Sequence, residues 1–292
     1  MREPKPLISA QELHACLQSG VAAPVVLDVR WALGVIDGRA QYLEGHIPGA
    51  VYVDLETELA GPPSPAAGRH PLPAADVLQR AARRWGIDDG SAVVAYDSVG
   101  NLSAARAWWL LRWSGLADVR LLDGGLAAWQ RAGFALESGD VVPTPGDVTL
   151  QRGGLAVIDA DAAARLPTAG ILLDARAGER YRGETEPVDP RAGHIPGALS
   201  APTSANLESD GAFASPEKLT ARFRALGVDG TRPVGVYCGS GVTAAHEIAA
   251  LAIAGLEAAL YPGSWSEWSS DPDRPVATGD SPIQQRTRRQ TR

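Results

Sequence analysis

Along the chain, short runs of β-branched and aliphatic residues alternate with longer stretches in which apolar positions recur every three or four residues. The first pattern reads as buried strand and the second as amphipathic helix, and their alternation is that of a parallel sheet with helices on both faces. The runs predict strands at 24–29, 92–96, 119–122, 171–175, 233–237 and 258–261. A helix is expected from Ser9, where Glu12 completes a capping box, to just before Gly20, with Leu13, Cys16 and Leu17 facing inward. Two further helices are expected at 103–113, ahead of Gly115, and at 242–254, ahead of Gly255. The fold class is therefore α/β.

This pattern occurs twice. Val25 to Arg30 returns as Ile171 to Arg176, both ending in Leu-Asp-x-Arg, at an offset of 146 residues. Gly45 to Ala50, Gly-His-Ile-Pro-Gly-Ala, returns unchanged as Gly193 to Ala198 at an offset of 148. Val93 to Asp97 answers to Val234 to Cys238 at 141, and Leu121 to Trp129 answers to Leu260 to Trp268 at 139. Four segments in one order with little drift mean a duplicated domain. The copies are placed at 7–140 and 157–278, with a linker at 141–156 that continues the proline- and glycine-rich stretch from Ser138, and a disordered basic tail at 279–292.

Composition narrows the function classes. The 292 residues give room for two domains, and 45% apolar with 21% charged residues is a globular balance. Two cysteines, Cys16 and Cys238, can build neither a disulfide scaffold nor a metal cluster, so no metal or other cofactor is expected and a reducing, cytoplasmic setting fits. The formal charge is −7, with a basic block only at 286–292, which argues against a nucleic-acid partner. No stretch has the apolar length of a signal peptide or a membrane span.

The chemistry lies in a difference between the copies. Where the first ends its central strand in Asp97, the second ends in Cys238, followed by Gly239, Ser240, Gly241, Val242 and Thr243. The carboxyl end of a central parallel strand is the ligand crevice of such sheets. Glycines there let successive N–H groups converge on one point, and a helix starting near Val242 aims its positive end at it. A helix terminus alone lowers a thiol pKa by about one unit, so larger effects need direct N–H bonds to sulfur. Such a nest suits a thiolate, and suits a persulfide better because its outer sulfur reaches further into the donors. Cys16, on an apolar helix face, reads as core.

The repeated Gly-His-Ile-Pro-Gly-Ala, the Leu-Asp-x-Arg strand ends and Cys238-Gly-Ser-Gly-Val-Thr243 resemble the tandem-domain rhodaneses, the thiosulfate and 3-mercaptopyruvate sulfurtransferases. The resemblance implies two rhodanese-like domains, each a parallel sheet flanked by helices, the first inactive and the second catalytic. It implies that Cys238 takes a sulfane sulfur from a small-molecule donor as a persulfide and passes it to a thiol, a thioredoxin-like protein or cyanide. The amides of Gly239, Gly241, Val242 and Thr243 would stabilise the anionic sulfur. The Gly-Ser-Gly loop is similar to that of the mercaptopyruvate enzymes, where Ser240 would either relay a proton to the departing enolate or only shape the nest. Arg180 matches the family's substrate-binding arginine, and Arg191 resembles the second, although the spacing around it departs from the family pattern. His46 with Asp37 resembles an assisting pair.

Other readings compete at several positions. His46 and His194 recur in both copies, in Ile-Pro-Gly turns that suit a type II turn, which favours architecture. Asp28, Arg30, Asp174 and Arg176 read as structural ion pairs, and Trp108, Trp109 and Trp113 as packing. A phosphatase of related fold would need arginine at the sixth position after the cysteine, and Ala244 stands there. The alternative to catalysis is a binding module or a sulfur relay dedicated to one protein partner.

Overall fold

Both sheets of the computed structural model, which describes residues 5–20, 23–34 and 36–280, are wholly parallel. The first contains β1 (Leu7–Ile8), β2 (Val25–Asp28), β3 (Val51–Tyr52), β4 (Val93–Tyr96) and β5 (Val119–Leu122) in the order β1-β5-β4-β2-β3. The second contains β6 (Ile171–Asp174), β7 (Leu199–Ser200), β8 (Val234–Tyr237) and β9 (Ala259–Leu260) in the order β7-β6-β8-β9. Replacing β2, β3, β4 and β5 by β6, β7, β8 and β9 converts one order into the other. A parallel bridge from Val157 to Leu260 occupies the place that β1 takes beside β5. Each of the six expected strands is present, and the two-residue strands β1, β3 and β7 are additional. Their edge pairings are too short to leave a periodic signal.

The expected helices are also present, as Ala10–Ser19, Ala104–Trp113 and Val242–Ile253. Ser9 and Glu12 form the capping box and Gly20 closes that helix with φ 62°. Leu13 on its inner face is fully buried, whereas Cys16 is only partly so. The other two helices are buried almost all round and pack against each other between the copies, so one apolar cluster runs through both domains. Trp108, Trp109 and Trp113 belong to it. The remaining sheet faces carry a separate cluster in each copy.

The stretch after residue 140 lies along the first copy. Val148 is buried there, and its carbonyl accepts from Arg83 at 3.0 Å. Residues 281–292, most of the basic tail, fall outside the described residues. Among those described, no helix is long and apolar enough to cross a membrane.

The repeated histidines are architectural. Ala50 N–H closes on Ile47 O at 2.9 Å and Ala198 N–H on Ile195 O at 3.0 Å, with Gly49 and Gly197 at φ 77° and 89°, as a type II turn demands of its third residue. His46 Nδ1 lies 2.8 Å from Tyr42 O and His194 Nδ1 2.8 Å from Tyr181 O, each imidazole stacked on that tyrosine. The strand-end pairs are likewise intramolecular clamps, Arg30 on Asp28 at 2.7 Å and Arg176 on Asp174 at 2.5 Å, all four buried.

Candidate active site

β8 delivers Cys238 to the carboxyl end of its sheet, where the thiol is 1% exposed. Its backbone is fixed on both sides: Cys238 N–H donates to Ser264 Oγ at 3.2 Å and Cys238 O accepts from Trp265 N–H at 3.0 Å. The chain then turns back at Gly241, with φ 80°, so that Gly241 N–H donates to Cys238 Sγ at 3.1 Å. A β-carbon there would meet Pro262 O at 2.5 Å. The positive φ and the close approach both require glycine. The helix Val242–Ile253 starts at once, with Gly241 as its N-cap.

The first copy shows what this loop is built to hold. Asp97, fully buried at the equivalent position, accepts four backbone N–H bonds: Val99 at 2.8 Å and Asn101 at 2.7 Å on Oδ1, Ser103 at 2.8 Å and Ala104 at 3.0 Å on Oδ2. Burial raises the Asp97 pKa and these four bonds oppose it. A carboxylate thus plugs the first nest. At the same 141-residue offset, the positions that match these donors are Ser240, Val242, Ala244 and Ala245, while the N–H that reaches Cys238 Sγ is that of Gly241.

Two arginines roof the loop. A β-carbon on Gly239 would touch Arg69 Nη2 at 3.0 Å and Arg180 Nη1 at 3.4 Å. Asp189 links them, one oxygen to Arg69 and the other 3.3 Å from Arg180 Nη2, which also binds Glu186 at 2.5 Å. Arg180 therefore lies against the Cys238 loop at Gly239. Arg191 does not. Its guanidinium donates to Trp268 O and Ser269 O at 2.9 and 2.8 Å, to Arg274 O at 2.9 Å and to Asp271 O. These carbonyls cluster at the C-terminus of the helix Ser264–Ser270, a site that favours a cation. The cation beside Arg180 is Arg69, from the other copy. Arg191→Ala is accordingly expected to cost about 1–3 kcal/mol in urea unfolding while leaving the KM for any donor unchanged.

His46 and Asp37 do not meet at the loop. His46 lies in its turn, fully buried, and Asp37 accepts from Gln41 Nε2 at 2.9 Å at the start of the helix Gly38–Glu44; no described contact joins them or brings either to Cys238. Their closeness in sequence masked the fact that one faces the sheet interior and the other solvent. The histidine at the loop is His70, whose Nδ1 lies 2.7 Å from Ser240 Oγ and whose Nε2 lies 3.2 Å from Glu56 Oε1. Trp31 packs edge-on against His70 at 5.4 Å and donates to the same carboxylate at 2.8 Å. Burial lowers the His70 pKa, while Glu56 opposes the shift. Glu56, His70 and Ser240 form a chain from surface carboxylate to loop hydroxyl. Arg69 and His70 lie in a stretch of the first copy that is seven residues longer than its counterpart, the offset falling from 148 to 141 across it, so the repeat does not point to them. Their one visible signal is an Arg-His pair inside a proline- and glycine-rich loop.

Residues 9–132 and 159–271 both match the Rhodanese-like domain. The chain belongs to the rhodanese family. This rhodanese is 51% identical over 283 residues to the "Probable 3-mercaptopyruvate sulfurtransferase" of Pseudomonas aeruginosa, covering 94% of this chain and 98% of that protein. It is 50% identical over 280 residues to the "Putative thiosulfate sulfurtransferase SseB" of Mycobacterium tuberculosis, covering 94% and 97%. Among solved structures it resembles the 3-mercaptopyruvate sulfurtransferase SseA of Escherichia coli, with a TM-score of 0.79, 34% identity, and 90% of this chain and 99% of that one covered. Among the described residues no cluster of histidine, cysteine and carboxylate side chains could hold a metal ion.

Proposed function

We propose that this rhodanese is a sulfurtransferase that takes sulfur from 3-mercaptopyruvate onto Cys238 and passes it to a thiol, a thioredoxin-like protein or cyanide. Relatives of nearly equal identity carry two different donor names. The choice of donor rests on the hydrogen bond between Ser240 Oγ and His70 Nδ1.

The chemistry follows from the loop. Cys238 as thiolate attacks the donor's sulfur; an S–S bond forms, the C–S bond breaks, and its electron pair leaves on carbon as the enolate of pyruvate. The donor's thiol proton is lost from the new persulfide, which stays anionic among the loop N–H groups. One proton must reach the enolate carbon to give pyruvate, and Ser240 backed by neutral His70 is the relay the loop offers. An acceptor thiolate then attacks the outer sulfur, forming its own persulfide and releasing the Cys238 thiolate; cyanide leaves as thiocyanate. Arg180 and Arg69 would hold the donor's carboxylate, which exchanges for Asp189 between them.

The test compares kcat/KM for the two donors. Mercaptopyruvate should exceed thiosulfate by about tenfold or more, because a site built around a proton relay favours the donor that needs one. Arg180→Ala should raise the KM for mercaptopyruvate by about 10–100-fold, the loss of a charged hydrogen bond, with a smaller change in kcat. Thiosulfate equal to or better than mercaptopyruvate would overturn the donor assignment.

A further inference from the structure

Two contacts cross between the copies in opposite directions, and they differ in charge. From the helix Ala104–Trp113, Arg106 Nη1 donates to Gly241 O at 3.2 Å. From the helix Val242–Ile253, His246 Nε2 lies 3.1 Å from Gly100 O. Gly100 and Gly241 are equivalent positions, so each copy's helix holds the same carbonyl of the other copy's loop. That carbonyl belongs to the peptide whose N–H, on Asn101, binds Asp97 at 2.7 Å in the first copy. Because a trans peptide points C=O and N–H in opposite directions, holding the Gly241 carbonyl aims the Val242 N–H at the sulfur side.

The two holders are not alike. His246 is fully buried, stacked on Phe213 and bonded to Thr203 Oγ1 at 2.7 Å. Burial pushes its pKa down to about 3, so it is neutral at pH 7. It faces a loop whose charge, the Asp97 carboxylate, is already met by four N–H groups. Arg106 is fully buried too, and its other N–H groups go to Leu59 O at 3.2 Å, His70 O at 2.9 Å and Pro71 O at 3.3 Å. Burial brings its pKa down to about 10, which still leaves it charged at pH 7, and among the described residues the charge that opposes this shift is that of Cys238. Arg69 and Arg180 over the same loop are each paired with a carboxylate, and His70 with Glu56; among the described residues none lies within ion-pair distance of Arg106. An isolated buried charge is costly, and a site keeps one where an opposite charge comes and goes.

We infer that Arg106, supplied by the catalytically silent copy, is the positioning residue and fixed counter-charge of the Cys238 loop, holding the Gly241 peptide in its donor orientation and favouring the anionic forms of the sulfur. For the persulfide this rests on the sulfur-transfer reading; for the thiolate it stands on the loop geometry alone. One arginine also ties the Cys238 loop to the His70 segment through the His70 carbonyl, so both halves of the site are set by one side chain.

The test uses full-length Arg106→Gln, which keeps a donor without charge, and Arg106→Lys, which keeps the charge with fewer carbonyl bonds. The rate of iodoacetamide alkylation at the Cys238 peptide is followed by mass at pH 7, alongside kcat, KM and thermal melting. A counter-charge role predicts a fall of about tenfold or more in alkylation and kcat for the glutamine variant, with KM little changed, and a lysine variant within about threefold of wild type. Equal losses in both variants that track melting temperature, or no loss in Arg106→Gln, would overturn it. If the glutamine variant fails to fold, lysine decides alone: wild-type alkylation at a lowered melting temperature supports the counter-charge, and slowed alkylation refutes it. Sulfur loading of the wild type is scored separately, so its failure with the alkylation pattern intact would remove the persulfide chemistry and leave the thiolate role standing.

Discussion

Cys238→Ser is expected to abolish sulfur transfer from either donor, lowering kcat by about four orders of magnitude or more, while leaving the melting temperature close to wild type. A serine hydroxyl can accept the Gly241 N–H that Sγ accepts at 3.1 Å, so the loop keeps its shape. It cannot form the S–S bond on which the reaction depends. No other group can substitute. Cys16 lies on a helix of the first copy, and the corresponding loop there is plugged by the Asp97 carboxylate with its four N–H bonds. Residual turnover within a hundredfold of wild type, in a purified variant with an unchanged melting curve, would mean that sulfur travels by another route.

His70→Ala separates the donors. With mercaptopyruvate the leaving group is an enolate that must gain a proton, and loss of a general acid–base relay costs about 10²–10⁴ in rate. With thiosulfate the leaving group is sulfite, stable as an anion, so the same substitution should cost less than about tenfold. The pH profile carries a second signature. Burial keeps the imidazole below its ordinary pKa of 6.5, opposed by Glu56, so His70 is neutral at pH 7 and becomes charged only in acid. The acid limb of kcat with mercaptopyruvate should therefore fall below pH 6.5 and vanish in His70→Ala. Equal losses for the two donors would make His70 a shaping residue and assign Ser240 the same role.

The duplication was readable because the central strands β4, β6 and β8 bury both faces and so write uninterrupted apolar runs, and because the turns before β3 and β7 need Pro and Gly at fixed places. Cys238 was readable for a related reason: its loop is local, with the glycines, the thiol and the helix start all within six residues. The rest of the site is not local. Arg69, His70 and Arg106 reach the loop from the first copy, 132 or more residues away in sequence, and no periodicity encodes which surfaces of two domains meet. Motif resemblance offers Arg191 as a second cation despite its departing spacing, and His46 as a histidine whose recurrence in both copies favours architecture. Both are committed to carbonyl oxygens within their own copy. The first copy, named inactive from Asp97, contributes Arg69, His70 and Arg106 to the surroundings of the Cys238 loop.

Incubating the reduced wild-type protein with excess 3-mercaptopyruvate and no acceptor, then weighing the peptides that carry Cys16 and Cys238, tests the sulfur-transfer account most directly. One added sulfur atom on the Cys238 peptide alone, removed when a thiol or cyanide acceptor is supplied, is the predicted result. An unmodified Cys238 peptide in protein that turns over the donor, or the sulfur on Cys16 instead, would contradict it.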